Sequence, residues 1–388
     1  MVLCGSVADE TVASVAFYIS GHGFGHASRQ IEIAKAFARR RPDVEILFRT
    51  AVPRWLFDRT MTAPFGLDDR PCDTGVVQID SLRLDAAATI AQAKAFYDTL
   101  EARTAAEAAL LRARDARLDI ADAPPLGCAA AAQAGIPSVV VSNFTWDWIY
   151  AEYREHLDAA PELIPTIQAA YRLADAAWRL PMHGGFETFS PAPRSGASAK
   201  QALIDVPFIA RHATHAPAET RARLGLPSLD DGRRLILPSF GGYGVDGIDL
   251  SALDLDASWH VVLVPDAAIY EAGLRYEDLV HSVDVVLTKP GYGIISECVA
   301  NDTALVYTSR GRFAEYEILV REMPRYLRCA YLENDPLRGG RWRAAVEAAV
   351  NAPPPPETPR TDGAEVIADM IAGYLSRPPD QHDDHKDH

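Results

Sequence analysis

The stretch VASVAFYISGHGFGHASR, residues 12–29, holds a complete strand–turn–helix transition. Val12 to Ile19 is a short apolar run of strand length and reads as a buried strand. Gly21, Gly23 and Gly25 interrupt any regular period. Ser28 then opens a helix whose apolar residues Ile31, Ala34, Phe37 and Ala38 recur at helical spacing. Glycines at such a turn let the backbone bend sharply and come close to a ligand, and the helix start offers unpaired N–H groups. A strand feeding a helix in this way is the opening unit of a parallel α/β sheet. The spacing is G-x-G-x-G and not the G-x-G-x-x-G of dinucleotide sites. The acidic residue expected about 20 positions on falls at Glu45, inside the next strand, which disfavours a redox Rossmann fold.

The alternation continues outward from this unit. Val44–Phe48, Leu118–Ala121 and Ser138–Val141 read as strands. An Ala-rich helix is predicted from about Asp85 to Leu118, and Gly135 closes another over Gly127–Ala134. From about Pro181 to Arg211 the pattern lapses into Pro, Gly and Ser, including Pro191-Ala192-Pro193. A second series follows, with strands at Leu235–Leu237, Val261–Val264, Val283–Leu287 and Leu305–Tyr307 and helices near Ile294–Ala300 and Ala314–Glu322. This organisation predicts two Rossmann-like α/β domains, residues 1–205 and 206–360, facing across a cleft where ligands meet the carboxyl ends of strands. A final helix is expected at 361–376. Residues 377–388, with His382, His385 and His388, read as a solvated, disordered tail.

Bulk properties narrow the function. A formal net charge of −15 argues against a nucleic-acid partner, which demands a surplus of Lys and Arg. The basic run Arg39-Arg40-Arg41 ends the first helix and reads as a solvated C-terminus facing the helix dipole. Cys4, Cys72, Cys128, Cys298 and Cys329 form no C-x-x-C pair, a pattern suited to reduced thiols. No leader pattern and no apolar run of transmembrane length is seen, so the expectation is a cytoplasmic protein without a transmembrane segment.

Two glycine-rich regions carry candidate chemistry. In the first, His22 and His26 flank the turn. An imidazole at the mouth of a parallel sheet suits general-base work, or it serves only to hydrogen-bond the loop. The intervening glycines argue against a helix that would turn the pair into a metal site. Asp122 ends a strand of the same lobe and is placed either to orient such a base or to cap a turn. His22, Phe24, Trp146 and Asp147 supply aromatic and polar groups suited to an acceptor, with burial in the lobe core as the competing account for Trp146 and Asp147. In the second region, Ser239, Gly241, Gly242 and Gly244 follow one strand. Gly291, Tyr292, Gly293, Ser296 and Glu297 follow another and open a helix. Two such turns can converge on a diphosphate through backbone N–H groups, with Glu297 placed to accept from ribose hydroxyls. Asp254-Leu255-Asp256 spells D-x-D but lies in a polar stretch and reads as an exposed loop. No metal and no cofactor is therefore expected.

Together, Tyr18-Ile19-Ser20-Gly21-His22-Gly23-Phe24-Gly25-His26, Asp73-Thr74-Gly75-Val76-Val77-Gln78, Ile120-Ala121-Asp122, Gly135-Ile136-Pro137-Ser138, Asn143-Phe144-Thr145-Trp146-Asp147, Tyr150-Ala151-Glu152-Tyr153 and Gly291-Tyr292-Gly293 are specific motifs. From about Val15 to Met323 the chain resembles the glycosyltransferase-like N-terminal region of plant L-arabinokinases and their stand-alone bacterial relatives. More distantly it resembles inverting GT-B glycosyltransferases of the family 28 and UDP-glycosyltransferase type. The resemblance implies a GT-B fold and a catalytic base at His26 oriented by Asp122. It also implies a donor ribose held by Glu297, a donor sugar contacted near Glu315 and Glu317, and UDP as the nucleotide. Ala27-Ser28-Arg29 departs from the x-x-Pro that follows the histidine in those transferases. The kinase half of the arabinokinases has no counterpart here, so kinase activity does not transfer. The expected function is inverting, metal-independent transfer from a nucleotide-sugar donor to a small-molecule hydroxyl acceptor. A non-catalytic nucleotide-sugar sensor and a GT-B nucleotide-sugar epimerase are the alternatives.

Overall fold

A computed structural model describes residues 13–189, 202–240 and 248–376. Gly241, Gly242 and Gly244, Cys4, Pro191-Ala192-Pro193 and the 377–388 tail lie outside the described residues. The N-terminal lobe contains β1 (Ser14–Ile19), β2 (Glu45–Arg49), β3 (Gly66–Asp68), a small antiparallel hairpin β4 (Val77–Gln78) and β5 (Leu84–Asp85), then β6 (Ala116–Asp122), β7 (Ser138–Phe144), β8 (Ala176–Gly184) and β9 (Ala202–Asp205). Among the described residues its main sheet runs β3-β2-β1-β6-β7-β8-β9, all parallel. The second lobe is a parallel sheet ordered β11 (Trp259–Val261), β10 (Arg234–Ser239), β12 (Val285–Thr288), β13 (Ala304–Tyr307), β14 (Cys329–Tyr331). The order reverses direction between β1 and β6 in one sheet and between β10 and β12 in the other. Crevices open at such switch points, outside the carboxyl ends of the strands.

Several boundaries differ from the sequence reading, each for a physical reason. The first helix starts at Gly25 (Gly25–Arg40) and not at Ser28, with Phe24 as its cap residue. Gly23, at φ +76°, makes the turn alone, so Gly25 and His26 are free to be helical. The long Ala-rich helix is two, Ala86–Tyr97 and Leu100–Ala113, broken at Asp98 and Thr99. β8 continues through Pro181 to Gly184, into the stretch where the sequence pattern lapses, and β9 adds a further parallel strand. β3, β9 and β14 are three to four residues long, too short for a periodicity signal.

The basic run is not a freely solvated helix end. Arg39 pairs with Glu365, and Arg40 donates to Glu365 at 2.7 Å and is paired with Asp369, both on the closing helix Gly363–Leu375. Ile367, Ala368 and Ile371 of that helix are fully buried in the cluster that also holds Ile31, Ala34 and Phe37. The chain thus leaves the second lobe and returns to seal the first helix of the first lobe. A hairpin makes the reciprocal contact. Asp80 accepts from the amides of Leu82 and Arg83, which shapes the β4–β5 tip. Ser81 then donates to the Phe240 carbonyl at 2.7 Å, and Leu82 is buried in the second lobe's core.

The closing helix offers a clean test of this packing. A Cβ on Gly363 would lie 2.3 Å from the Pro207 carbonyl oxygen and 2.7 Å from that of Phe208, whereas one on Gly373 meets nothing within 4 Å. Gly363→Ala should therefore cost about 1–3 kcal/mol through overpacking against backbone. Gly373→Ala should stabilise by about 0.5–1 kcal/mol through helix propensity. Urea denaturation of the two variants should move the midpoint in opposite directions; shifts of the same sign would contradict the docking of this helix.

Candidate active site

The β1–β6 crevice is built around one buried charge. Ile19 and Asp122 pair in register at the ends of β1 and β6, and the Ser20 amide donates to the Asp122 carbonyl at 2.8 Å. The Asp122 side chain has no solvent exposure. Its Oδ1 lies 2.9 Å from His26 Nδ1 and accepts from Arg29 Nη2 at 2.5 Å. Oδ2 accepts from Arg29 Nε at 2.6 Å and Gln30 Nε2 at 2.9 Å. Burial works to raise this carboxyl, but Arg29 and then His26 outweigh it and hold it well below the usual carboxylate range. His26 Nδ1 is also 3.0 Å from Arg29 Nη2. A guanidinium N–H cannot accept, so a proton on Nδ1 belongs to Asp122 and leaves Nε2 with the free lone pair.

Arg29 carries the network across the cleft. Its Nη1 donates to Asn143 Oδ1 at 2.8 Å, and Asn143 Nδ2 donates to Glu315 Oε1 of the second lobe at 2.8 Å. Arg310 Nη1 donates to Glu315 Oε2 at 3.0 Å and to the Pro290 carbonyl at 3.2 Å. The Arg29 guanidinium also sits 5.0 Å from the centre of the Tyr292 ring. A Cβ on Gly293 would approach Gly25 Cα to 3.6 Å, so the two glycine-bearing helix starts meet face to face.

The other residues singled out in the sequence divide into cleft and interior. His22 lies stacked at 6.0 Å on Phe313 of the second lobe and 3.4 Å from Gln78, and burial followed by Arg310 pushes its imidazolium well below the ordinary histidine range. Phe24 is exposed beside Trp55. Trp146 is fully buried, donating to Asp73 at 2.7 Å, and the buried Asp147 accepts from Gln168 and Thr188. Both are buried in the lobe interior. Ser239 hydrogen-bonds Tyr276, and Ser296 donates to the Gly293 carbonyl at 2.9 Å. Gly291 caps the helix Tyr292–Ala300, and the Tyr292 hydroxyl accepts from the Ile209 amide. Glu297 is buried with Oε1 held by Arg211 at 2.7 and 2.5 Å, and no donor among the described residues reaches Oε2. Burial pushes the Glu297 carboxyl up, against Arg211. Glu315 bridges the lobes. Asp254 caps the segment at Trp342 and Arg343, and Asp256 pairs with Arg343. Among the described residues no group of three His, Cys, Asp or Glu side chains could hold a metal ion.

Arg29, Gln30, Asn143 and Arg310 were not singled out as site residues by the sequence reading. Arg29 was legible in principle, since it lies three residues beyond His26 and helical spacing puts both on one face. Arg310 gives no such signal, because it reaches the site from a loop of the other lobe.

No protein-family model matches this chain. L-arabinokinase of Arabidopsis thaliana is 28% identical over 379 residues, 92% of this chain and 34% of that relative, so the chain spans about a third of its length. Among solved structures, the calicheamicin glycosyltransferase CalG4 matches 94% of this chain and 98% of its own, with a TM-score of 0.55 at 15% identity. A UDP-glucosyltransferase from Polygonum tinctorium, capable of glucosylating indoxyl, matches 96% and 100% with a TM-score of 0.55 at 15% identity. The fold is GT-B, as the sequence predicts, and the likeness to the arabinokinase is present across nearly the whole chain. No helix among the described residues is long and apolar enough to cross a membrane.

The central charge can be tested by removing its partner. Arg29→Met should destabilise the protein by about 3–5 kcal/mol near neutral pH, because it strands a buried carboxylate. Asp122 is depressed in the folded state, so its contribution is full above the ordinary carboxylate value of about 3.9 and is lost as pH falls below it. The deficit of Arg29→Met, followed by chemical denaturation, should therefore shrink below about pH 4. A deficit independent of pH would mean that Arg29 stabilises by packing alone.

Proposed function

We propose that this protein is an inverting, metal-independent glycosyltransferase moving a sugar from a nucleotide-sugar, with UDP as the nucleotide, to a hydroxyl acceptor. The observation that carries the reading is the His26–Asp122 pair at the first-lobe switch point, facing the glycine-opened helix of the second lobe within a GT-B fold. Nε2 of His26 takes the acceptor hydroxyl proton as the oxygen attacks the anomeric carbon. The bond from that carbon to the diphosphate oxygen breaks on the opposite face, and its electron pair leaves with the nucleoside diphosphate. Asp122 holds the imidazole in the Nδ1–H tautomer and stabilises the imidazolium that forms. Glu297, held on one oxygen by Arg211, keeps its other oxygen for the ribose hydroxyls. The similar structures are of glycosyltransferases, including one named for UDP-glucose-type chemistry, which supports the choice of reaction and nucleotide.

A second reading, binding without turnover, is favoured by one observation. Arg29 already neutralises the carboxylate that orients the base. Kinetics separate the two. His26→Ala should slow product formation by about 10²–10⁴-fold while leaving nucleotide affinity nearly intact. Asp122→Asn should cost less, and the double variant should be little worse than His26→Ala, because the two act as one unit. Donor binding with no product from any acceptor in the unmodified protein would favour the second reading.

Metal independence is checked separately, by assaying transfer in excess chelator, which should keep most of the rate. A complete loss restored by Mg²⁺ or Mn²⁺ would overturn it.

A further inference from the structure

The first-lobe sheet has a second concavity, on the face away from the helix Gly25–Arg40. It has a volume of about 460 Å³ and opens between the helix Leu100–Ala113, the end of β2 and the start of the helix Pro125–Ala134. Ala102 and Ala106, four residues apart on one helix face, leave the hollow that Pro71 and Leu126 bound. No lining residue belongs to the second lobe or to the His26–Asp122 crevice. Buried side chains stand between the two places. His22 packs on Trp146, Trp146 donates to Asp73 at 2.7 Å, and the neighbouring Cys72 thiol donates to the Ile19 carbonyl at 3.0 Å. A volume between about 300 and 1,000 Å³ is typical of small-molecule sites.

Three guanidinium groups and two carboxylates meet at this cavity. Glu107 is buried in its floor, where Oε1 accepts from Arg49 Nη2 at 2.6 Å. Its Oε2 accepts from Arg49 Nε and from the Tyr18 hydroxyl, both at 2.9 Å. Asp68 accepts from Arg70 Nε at 2.8 Å and Nη2 at 2.6 Å. Both acids are thus fully engaged within the protein. Arg103 faces neither. Its Nε donates to Thr99 Oγ1 at 2.9 Å, and its guanidinium carbon lies 4.1 Å from the centre of the Phe96 ring. Thr99 is itself fixed by donating to the Phe96 carbonyl at 2.8 Å. Nη1 and Nη2 of Arg103 hydrogen-bond nothing among the described residues, so the fork is held at its root with its tips free. The cavity therefore joins apolar walls to one surplus positive charge.

We propose that this cavity is a binding site for an apolar organic carboxylate, separate from the reaction cleft. The hydrocarbon body lies against Ala102, Ala106 and Leu126, and the carboxylate is received by Nη1 and Nη2 of Arg103. A planar guanidinium with two free nitrogens matches a carboxylate in bidentate fashion. The Arg49–Glu107 pair closes on itself, so the floor neither attracts nor repels a second charge. An inorganic anion would leave the apolar walls uncovered, whereas a neutral apolar molecule would leave Arg103 without a counter-charge. The site uses no residue of the proposed transfer chemistry.

The test is titration calorimetry of the full chain with naphthoate and with its neutral amide, naphthamide. The unmodified protein should bind naphthoate about 10–100-fold more tightly than naphthamide. Arg103→Gln should weaken naphthoate binding by a similar factor of about 10–100 and leave naphthamide binding unchanged. Arg103→Lys, which keeps the charge without the fork, should fall between the two. Ala106→Phe, at an exposed helix position, should fill the hollow and weaken both ligands. All three variants keep the Arg49–Glu107–Tyr18 floor intact, which guards against a folding defect. Three outcomes would each overturn the site: no naphthoate binding by the unmodified protein, equal affinity for acid and amide, or naphthoate affinity unchanged in Arg103→Gln and Ala106→Phe.

Discussion

A carboxylate with no access to water has to be satisfied by the protein around it, and Asp122, at the end of β6, is satisfied by side chains of the first helix. His26, Arg29 and Gln30 come from one helix, and both carboxylate oxygens are filled by them. A buried charge with a full set of hydrogen bonds is tolerated, whereas one with a missing partner is costly. The N-terminal part of that helix and the end of β6 are therefore fixed relative to one another by a single ion.

Arg29 extends this constraint to the second lobe. Its guanidinium has donors in a fixed fork, which lets it hold Asp122 with two nitrogens and still reach Asn143 with the third. Asn143 passes the connection to Glu315, and the ring of Tyr292 covers the guanidinium face. The histidine that the first lobe presents and the glycine-opened helix that the second lobe presents are thus set against each other through polar contacts. The hairpin tip at Leu82 and the closing helix at Ile371 add apolar contacts at two further places. The electrostatic result is a cleft in which Asp122 is paired with Arg29 and Glu315 with Arg310, beside two helix starts that carry no acidic residue in their first turns.

The α/β alternation, the two series of strands, the glycine turns and the placement of His26 at the turn and Asp122 at a strand end are legible because each is local. Strand and helix periods, capping glycines and strand-end residues are properties of consecutive residues. The start of the first helix was misplaced by three residues because glycine content was weighed without knowing that Gly23 alone makes the turn. Arg39-Arg40 was read as a solvated helix end because its acidic partners, Glu365 and Asp369, lie more than three hundred residues away.

What the sequence by itself determined is the set of chemical groups and the elements that carry them: a histidine at a sheet mouth, a carboxylate at a strand end and two glycine-opened helices. Tertiary structure decided which of those groups are free. Trp146 and Asp147 are drawn inward, Glu297 is half occupied by Arg211, and Asp122 is shared with Arg29. Charge satisfaction is a sum over neighbours from every element that reaches a site, and those neighbours are assigned only when the two sheets, the hairpin and the closing helix pack together.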